Sequence, residues 1–309
     1  VGVAANVVCS AMLGGDEYPS TAIGINLPNA DWIRASHGSK SITIGNLTHA
    51  YNQAARGNGF LDEYVIDDAT RALILKYGDL CDDLHTDLHE CLGHGSGQLL
   101  PGVSADALGA YGSTIEEARA DLFGLYYIAD AKLVELGLVP DADAYCSQYY
   151  TYLMNGLMTQ LTRIKPGHEI EEAHMRNRAL VARWTLANYP SALSLTQRDG
   201  KTYLQVNDYE LLRQAFATLL AEIQRIKSEG DFDGARSMVE QYAIHVDSVL
   251  HEEMLERYAK LGIAPYKGFL NPHMTLEQSA DGTITDVRLD YSETYEHQML
   301  RYSSEYGYL

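Results

Sequence analysis

Hydrophobic and polar positions divide the chain into two regions of different pattern. In residues 1–60, prolines and glycines interrupt short apolar runs, which indicates irregular strands and turns. Between residues 68 and 261, apolar residues recur with the period of a helix. We expect helices over residues 68–77, 80–93, 114–136, 142–164, 169–188, 208–228, 232–244 and 246–261. Asp141 and Asn207 are expected to cap two of these helices.

Two Asp-Gly pairs mark turns outside the predicted helices. Asp199-Gly200 and Asp281-Gly282 each lie between alternating runs, which predicts two hairpins. We therefore expect a β hairpin and a C-terminal tail in residues 262–309. Because no segment has the composition of a linker, the sequence predicts a single domain over residues 1–309, mainly α with small β elements.

Size and charge limit the classes of function. The chain has 309 residues, of which 46% are hydrophobic, enough for a substantial core. Its net charge of −19 disfavours binding to nucleic acids or anionic membranes, which need basic surfaces. No apolar run approaches the ~20 residues of a membrane span, and the four cysteines do not suggest a disulfide scaffold in a chain of this length. We expect neither a nucleic acid nor a membrane as a partner.

The most informative chemistry lies in residues 89–94, which read His-Glu-Cys-Leu-Gly-His. Two imidazoles and a carboxylate can bind zinc and take a proton from a zinc-bound water. The short zinc-hydrolase signature spaces its histidines at i and i+4, whereas His89 and His94 are at i and i+5. In a straight helix their rings would point about 140° apart. The motif therefore requires a local distortion, and Gly93 is where a deviation costs least.

Two neighbouring histidines alone would more often be solvated residues at a helix end. A catalytic zinc site needs a third protein ligand and an open position. Downstream, Ser113 and Glu116 have the spacing of a capping box, and Glu117 and Asp121 share one face of the expected helix. That face can supply the third ligand. Glu116 and Asp121 are candidate acceptors for the remaining histidine N–H groups, and Glu116 is equally a candidate N-terminal cap.

These motifs resemble those of a known family. His-Glu-x-x-Gly-His followed by Glu-Glu-x-x-Arg-Asp/Glu is similar to the signature pair of the dipeptidyl peptidase III family of zinc metallopeptidases. Residues 24–29, Gly-Ile-Asn-Leu-Pro-Asn, resemble the family's substrate-binding segment. Residues 172–175, Glu-Ala-His-Met, resemble another family segment when taken with Arg178. The gap of 28 positions between His89 and Glu117 is similar to that of bacterial members.

The resemblance implies a metal centre and a base. His89, His94 and Glu117 would bind one zinc ion, and Glu90 would be the general base. The implied activity is the zinc-dependent release of dipeptides from the N-termini of short peptides. In that reaction the zinc ion activates a water molecule, and the carboxylate of Glu90 accepts its proton.

The resemblance also implies residues that hold the substrate and the reacting carbonyl. His174 would stabilise the oxyanion of the tetrahedral intermediate, with Arg178 near the substrate. Asn26 and Asn29 would hold the backbone and the N-terminal amine of the peptide. A histidine on a charged helix is more often solvated than catalytic, so the assignment of His174 depends on the resemblance.

Family members have two lobes around a cleft, and the chain resembles the helical, zinc-bearing catalytic lobe. Residues 1–60 would form an irregular or β substrate-binding segment and residues 68–261 the helical zinc region, before the hairpin and tail. The resemblance therefore implies that the N-terminal lobe of the family is absent from this sequence, and that it would be a partner of the catalytic lobe in the complete protein. The resemblance implies a cytoplasmic location, with a periplasmic one as the alternative.

Three alternatives stay open at the level of sequence. His85 and His89 are at i and i+4, so this pair fits an unbroken helix and is a rival pair of ligands. Two histidines and one carboxylate also form the iron site of a class of oxygenases. Finally, the chain could bind zinc for stability, or bind peptides without cleaving them. The resemblance favours a zinc peptidase with His94 as the second histidine ligand.

Overall fold

Helices dominate the part of the chain that the structure describes, and the strands in this part form three small sheets. The fold is that of a computed structural model, which describes residues 3–9, 24–28, 31–263 and 271–307. The predicted class, mainly α with small β elements, is confirmed. None of the helices in these ranges is both long and apolar enough to cross a membrane.

The helices and strands are numbered in chain order. The α-helices are α1 Asp31–His37, α2 Gly45–Ala55, α3 Phe60–Tyr64, α4 Asp68–Leu88, α5 Gly112–Ile128, α6 Ala131–Glu135, α7 Tyr145–Leu157, α8 Ala173–Asn188, α9 Tyr209–Glu229, α10 Phe232–Tyr242, α11 Ser248–Leu261 and α12 Tyr295–Tyr306. A π-helix, His89–His94, follows α4, and 3-10 helices span Gly109–Tyr111 and Thr159–Arg163. The strands are β1 Val3–Val8, β2 Gly24–Leu27, β3 Ser39–Ile44, β4 Leu193–Arg198, β5 Lys201–Val206, β6 His273–Gln278 and β7 Ile284–Asp290.

Helix α5 lies in the centre of the helical region. It packs against α4, α8, α9 and the π-helix, and its residues from Ala118 to Leu122 are buried without a break. A helix that is enclosed on all sides buries whatever polar groups it carries, and those groups then need partners inside the protein. The acidic residues of α5 are therefore held in fixed contacts, which matters for the site described below.

The boundaries of several helices differ from the prediction. The segments 68–77 and 80–93 join into α4 and the π-helix. The segment 114–136 breaks at Asp130, whose side chain caps the short helix α6. The predicted caps are both wrong: the side chain of Asp141 contacts Lys76 and Tyr77 in α4, and Asp208, one residue after Asn207, caps α9.

The first 60 residues contain a sheet in the order β1-β3-β2, in which β1 is parallel and β2 antiparallel to β3. Two helices, α1 and α2, also form here, so the prediction of irregular and β structure was incomplete. Both predicted hairpins are confirmed. Asp199 and Gly200 have φ values of 51° and 75°, as a two-residue hairpin turn of this handedness requires. The expected C-terminal tail contains α12.

A buried arginine joins three elements of the helical region. Arg257 on α11 is 3% exposed and pairs with Glu63 on α3 at 2.7 Å and with Glu253 at 2.9 Å. It also donates to the carbonyl oxygen of Thr202 on β5 at 2.6 Å. Its removal would take the buried cation from both carboxylates and leave Glu63 with the more exposed Lys201, and such a loss costs more than an intact pair contributes.

We expect the change Arg257→Met to lower the free energy of unfolding by about 3 kcal/mol, because Glu63 and Glu253 lose their buried cation. Urea unfolding followed by circular dichroism measures this difference. The matched control is Lys260→Met on the same helix, which breaks an ion pair of two exposed side chains and is expected to change little. Equal stability of the two variants would contradict the role of Arg257.

Candidate active site

The two histidines of the central motif lie on a π-helix. Helix α4 ends at Leu88, and residues His89–His94 continue as one wider turn. The wider turn brings His89 Nε2 to 3.0 Å from His94 Nε2. The predicted distortion between the two histidines is therefore confirmed, and both rings point to the same side.

Gly93 allows this turn to lie against α5. A Cβ atom on Gly93 would be 2.6 Å from Ala120 Cα, far inside the contact distance of two carbon atoms. The sequence suggested glycine for its backbone freedom, but the structure gives close packing as the reason. This contact holds the π-helix directly beside the acidic residues of α5.

Glu117 completes a set of three donor atoms. Its Oε2 atom is 3.4 Å from His89 Nε2 and 3.7 Å from His94 Nε2. In the plane of these three atoms, the equidistant point lies about 2.0 Å from each, so an ion at or just above this plane meets the zinc–nitrogen distance of about 2.0–2.1 Å. Glu117 Oε2 is buried and has no hydrogen-bond partner among the described residues. The three side chains therefore fit a metal ion in position and in chemistry.

Each histidine of this set is held by a carboxylate on α5. His94 Nδ1 lies 2.9 Å from Glu116 Oε1, and His89 Nδ1 lies 2.6 Å from Asp121 Oδ1. These contacts leave both Nε2 atoms facing Glu117. The predicted acceptors are thus in place, but the capping box is not: α5 begins at Gly112, and the carboxylate of Glu116 binds side chains of the site instead.

Two cations that the sequence analysis did not single out hold Glu116. Arg119, which is fully buried, donates to Glu116 at 2.8 Å and to the carbonyl oxygen of Gly93 at 2.7 Å. Lys227 on α9 donates to the other carboxylate oxygen. Arg119 could have been noticed from its place in the motif, three residues after Glu116 on the same helix. Nothing near Lys227 in the sequence indicates this contact.

His85 supports the site without belonging to the set of three. Its Nε2 lies 3.1 Å from Asp121 Oδ1, the same oxygen that His89 Nδ1 contacts. His85, His89 and Asp121 form a second group that could hold a metal ion. Both imidazole nitrogens lie at hydrogen-bonding distance from the same carboxylate oxygen. We therefore interpret His85 as a hydrogen-bond partner of Asp121.

Glu90 lies beside the donor set and is 7% exposed. Strand β2 covers it so closely that a Cβ atom on Gly24 would be 2.7 Å from Glu90 Oε1. Burial raises the pKa of Glu90 against the opposing effect of the neighbouring histidines. A buried carboxylate with a raised pKa, within electrostatic reach of His89 and His94, has the properties of a general base.

His174 reaches the same group from α8. Its Nε2 lies 3.4 Å from Glu117 Oε2, while its Nδ1 lies 2.6 Å from Glu172, the residue that caps α8. The hydrogen bond to Glu172 raises the pKa of His174. Arg178 follows one turn later on α8. The structure therefore brings His174 to the donor set, with half of its side chain exposed.

Of the two asparagines predicted to hold the substrate, the structure describes only Asn26. Asn26 on β2 is 8% exposed, and its amide nitrogen donates to Ser41 Oγ at 2.7 Å and to the carbonyl oxygen of Glu90 at 3.2 Å. In this structure it ties β2 to the π-helix. Asn29 lies outside the described residues.

The carboxylates and histidines around the donor atoms share protons. Burial alone would raise the pKa of Glu117, but His89 and His94 lower it to about 2. Burial alone would lower the pKa of His89, but Asp121 and Glu117 raise it to about 10. Without a metal the site therefore binds protons strongly between these groups. Such a proton-binding group of side chains is suited to a divalent cation, which binds in place of the protons.

Comparison with known proteins identifies relatives of the chain. The sequence model of Peptidase family M49 matches residues 18–108 and 104–296. Dipeptidyl peptidase 3 of Homo sapiens is 28% identical in an alignment of 270 positions that covers 73% of this chain and 36% of the relative. Dipeptidyl peptidase 3 of Nematostella vectensis is 25% identical in an alignment of 304 positions that covers 85% of this chain and 40% of the relative. The chain thus corresponds to well under half of these relatives.

Solved structures show the same fold. The structure of DPP III from Caldithrix abyssi matches with a TM-score of 0.59 at 24% identity, over 78% of this chain and 43% of that one. Dipeptidyl-peptidase III from Corallococcus sp. strain EGB matches with a TM-score of 0.61 at 22% identity, over 80% and 43%. The helical fold with small sheets is therefore shared with these proteins.

Proposed function

Since the chain belongs to peptidase family M49, we propose that it acts as a zinc-dependent exopeptidase that releases dipeptides from the N-termini of short peptides. The observation that carries this proposal is the convergence of His89 Nε2, His94 Nε2 and Glu117 Oε2 on one point. Glu90 lies next to them, so a ligand set and a base occur together. A structural zinc site needs no such base.

His89, His94 and Glu117 would hold the ion and leave a position for water or substrate, as in catalytic zinc sites. A bound zinc ion would act as a Lewis acid that lowers the pKa of its water ligand and polarises a peptide carbonyl. The same ligand types also occur around iron in oxygenases. The buried Glu90 beside the ligands favours hydrolysis over that alternative, because oxygenation does not need a carboxylate base there.

Glu90 would move the proton in this reaction. Its carboxylate takes a proton from the attacking water and returns it to the leaving amine. Strand β2 restricts the carboxylate on the side of Gly24, and the amide of Asn26 fixes the backbone of Glu90 itself. Because the base is held by two neighbours, its carboxylate needs little reorganisation when the reaction begins.

His174 would donate a hydrogen bond to the oxyanion that forms on the scissile carbonyl. The contact with Glu172 fixes the ring, and Nε2 faces the donor set. Arg178, on the same helix, would bind the substrate, and Asn26 and Asn29 would hold its backbone and amine. The part of the relatives that the chain does not cover would supply the other wall of the cleft, as a partner lobe.

The test is a fluorogenic assay with a dipeptidyl arylamide whose amine is unblocked. We expect cleavage by the zinc-loaded chain, loss of cleavage after treatment with a chelator, and recovery on addition of zinc. The N-acetylated analogue is the matched control and should not be cleaved, because an exopeptidase of this kind requires the amine. Metal analysis of the purified chain should find one zinc ion.

Other outcomes would point to the alternatives. Bound zinc without cleavage of either substrate would indicate a lobe that binds zinc or peptides without catalysis. Bound iron in place of zinc would favour the oxygenase. Equal cleavage of the blocked and unblocked substrates would contradict the release of dipeptides from a free N-terminus.

A further inference from the structure

The carboxylate of Asp121 is surrounded by hydrogen-bonding groups from three other elements. Oδ1 lies 2.6 Å from His89 Nδ1 and 3.1 Å from His85 Nε2. Oδ2 lies 2.9 Å from the hydroxyl of Tyr152, a buried residue on α7. Asp121 is therefore fixed at both oxygens, and only one of the contacts leads directly to the metal-binding group.

The hydroxyl of Tyr152 has a second neighbour that decides which way its hydrogen points. It lies 2.9 Å from Oδ1 of Asn177, a fully buried residue on α8, and also 2.9 Å from Asp121 Oδ2. Both of these oxygens are acceptors, but a hydroxyl has a single hydrogen to donate. With Asn177 Oδ1 facing Tyr152, one of the two contacts would therefore bring two acceptors together.

The side-chain amide of Asn177 resolves this conflict when its oxygen and nitrogen are exchanged. Its Nδ2 is buried and has no hydrogen-bond partner among the described residues. The two atoms of an amide are not distinguished by shape, and their assignment follows from the hydrogen bonds. In the exchanged orientation Asn177 donates to the Tyr152 oxygen, and the Tyr152 hydroxyl donates to Asp121. In this series of contacts, from Asn177 through Tyr152 to Asp121, the Tyr152 hydroxyl then has one donor and one acceptor as its neighbours.

We propose that Tyr152 and Asn177 are positioning residues for His89, which they orient through Asp121. The inference rests on the proposed function, because it assigns these residues to the zinc site. Asp121 must accept the hydrogen of His89 Nδ1 so that Nε2 is the free nitrogen. A carboxylate that is itself held by hydrogen bonds fixes the imidazole more firmly than one that can rotate.

The series also connects two parts of the site. Asn177 lies three residues after His174 on α8, and Tyr152 on α7 lies between Asn177 and Asp121 on α5. Helices α7 and α8 are in close contact, since a Cβ atom on Gly156 would be 2.3 Å from the carbonyl oxygen of Arg178. The helix that carries His174 is thereby fixed relative to the ligand His89.

The test compares Tyr152→Phe with Tyr149→Phe. Tyr149 is a matched control, because it is buried on the same helix and its hydroxyl also donates to α5, at 2.8 Å to the carbonyl oxygen of Leu125. Zinc affinity is measured by competition with a chelator, and the absorption spectrum of the cobalt-substituted chain reports the geometry of the ligands. We expect Tyr152→Phe to weaken zinc binding by about tenfold or more and to alter the cobalt spectrum.

The control should keep the affinity and the spectrum of the unaltered chain, although it too loses a buried hydrogen bond to α5. Asn177→Leu is a second variant at the other end of the series and should weaken zinc binding in the same direction by a smaller factor. Equal affinity in Tyr152→Phe and Tyr149→Phe would overturn the inference and leave the proposed function intact. An unaltered chain that binds no zinc would overturn the proposed function and, with it, the inference.

Discussion

The variant Glu90→Gln is expected to retain its zinc and to lose most of its activity, with kcat/KM for dipeptide release lower by about a hundredfold or more. Glutamine has nearly the same size as glutamate but cannot accept the proton of the attacking water. Since Glu90 is not one of the three converging donors, its replacement removes the base and leaves the ligands. Kinetics on a dipeptidyl arylamide and metal analysis of the same preparation measure both effects.

Glu90→Asp separates the position of the base from its presence. Aspartate retains the carboxylate but withdraws it by one carbon from the contact with strand β2 at Gly24. We expect an intermediate activity, since a displaced carboxylate can still accept the proton but does so less effectively than one in the correct position. Near-normal turnover by zinc-loaded Glu90→Gln would contradict the role of Glu90, whatever the aspartate variant does.

The helices with strong apolar periodicity could be predicted from the sequence because their signal is local. The segments 208–228 and 232–244 agree with α9 and α10 to within two residues at each end. Helix α5 was also expected, but its break near Asp130 was not, because the apolar pattern continues across the break. Two helices in residues 1–60 were missed, since short helices have few residues in which periodicity can appear.

Within the site, spacing could predict a distortion but not its cause. The angle between positions 89 and 94 requires a departure from a regular helix, and the π-helix provides it. The contact between Gly93 and Ala120 belongs to the packing of two helices and has no signature in the hexapeptide. The spacing of the acidic residues on α5 likewise suggested acceptors for the histidines, and the structure places both carboxylates against them.

The residues that hold these carboxylates could not be found from the sequence. Lys227 and Glu116 are 111 positions apart, and Tyr152 and Asp121 are 31 apart. A lysine near a helix end and a tyrosine in an apolar run have ordinary local explanations, as an exposed cation and a core residue. Only the packing of α5 against α7 and α9 brings them to the acidic residues. The donor set is thus encoded in local motifs, whereas its support depends on the tertiary fold.

The variants His94→Ala and His85→Ala should differ in whether the chain binds zinc at all. Among the described residues, two groups of side chains could hold a metal, and they share His89 but use opposite nitrogens of its ring. One group faces Glu117 and His94 through Nε2, and the other faces Asp121 and His85 through Nδ1. Zinc content after dialysis distinguishes them. We expect His94→Ala to retain almost none, and His85→Ala to retain one ion per chain.

Two observations favour the group with His94. Ligands of a tetrahedral zinc ion at about 2.0 Å lie roughly 3.3 Å apart. The distances of 3.0, 3.4 and 3.7 Å in that group scatter around this value, whereas His89 Nδ1 and Asp121 Oδ1 are only 2.6 Å apart, as in a hydrogen bond. In addition, all three residues of the other group are buried, which leaves little room for the water that hydrolysis requires. Retention of zinc by His94→Ala together with its loss from a folded His85→Ala would reverse the assignment, and urea unfolding of both variants establishes that they are folded.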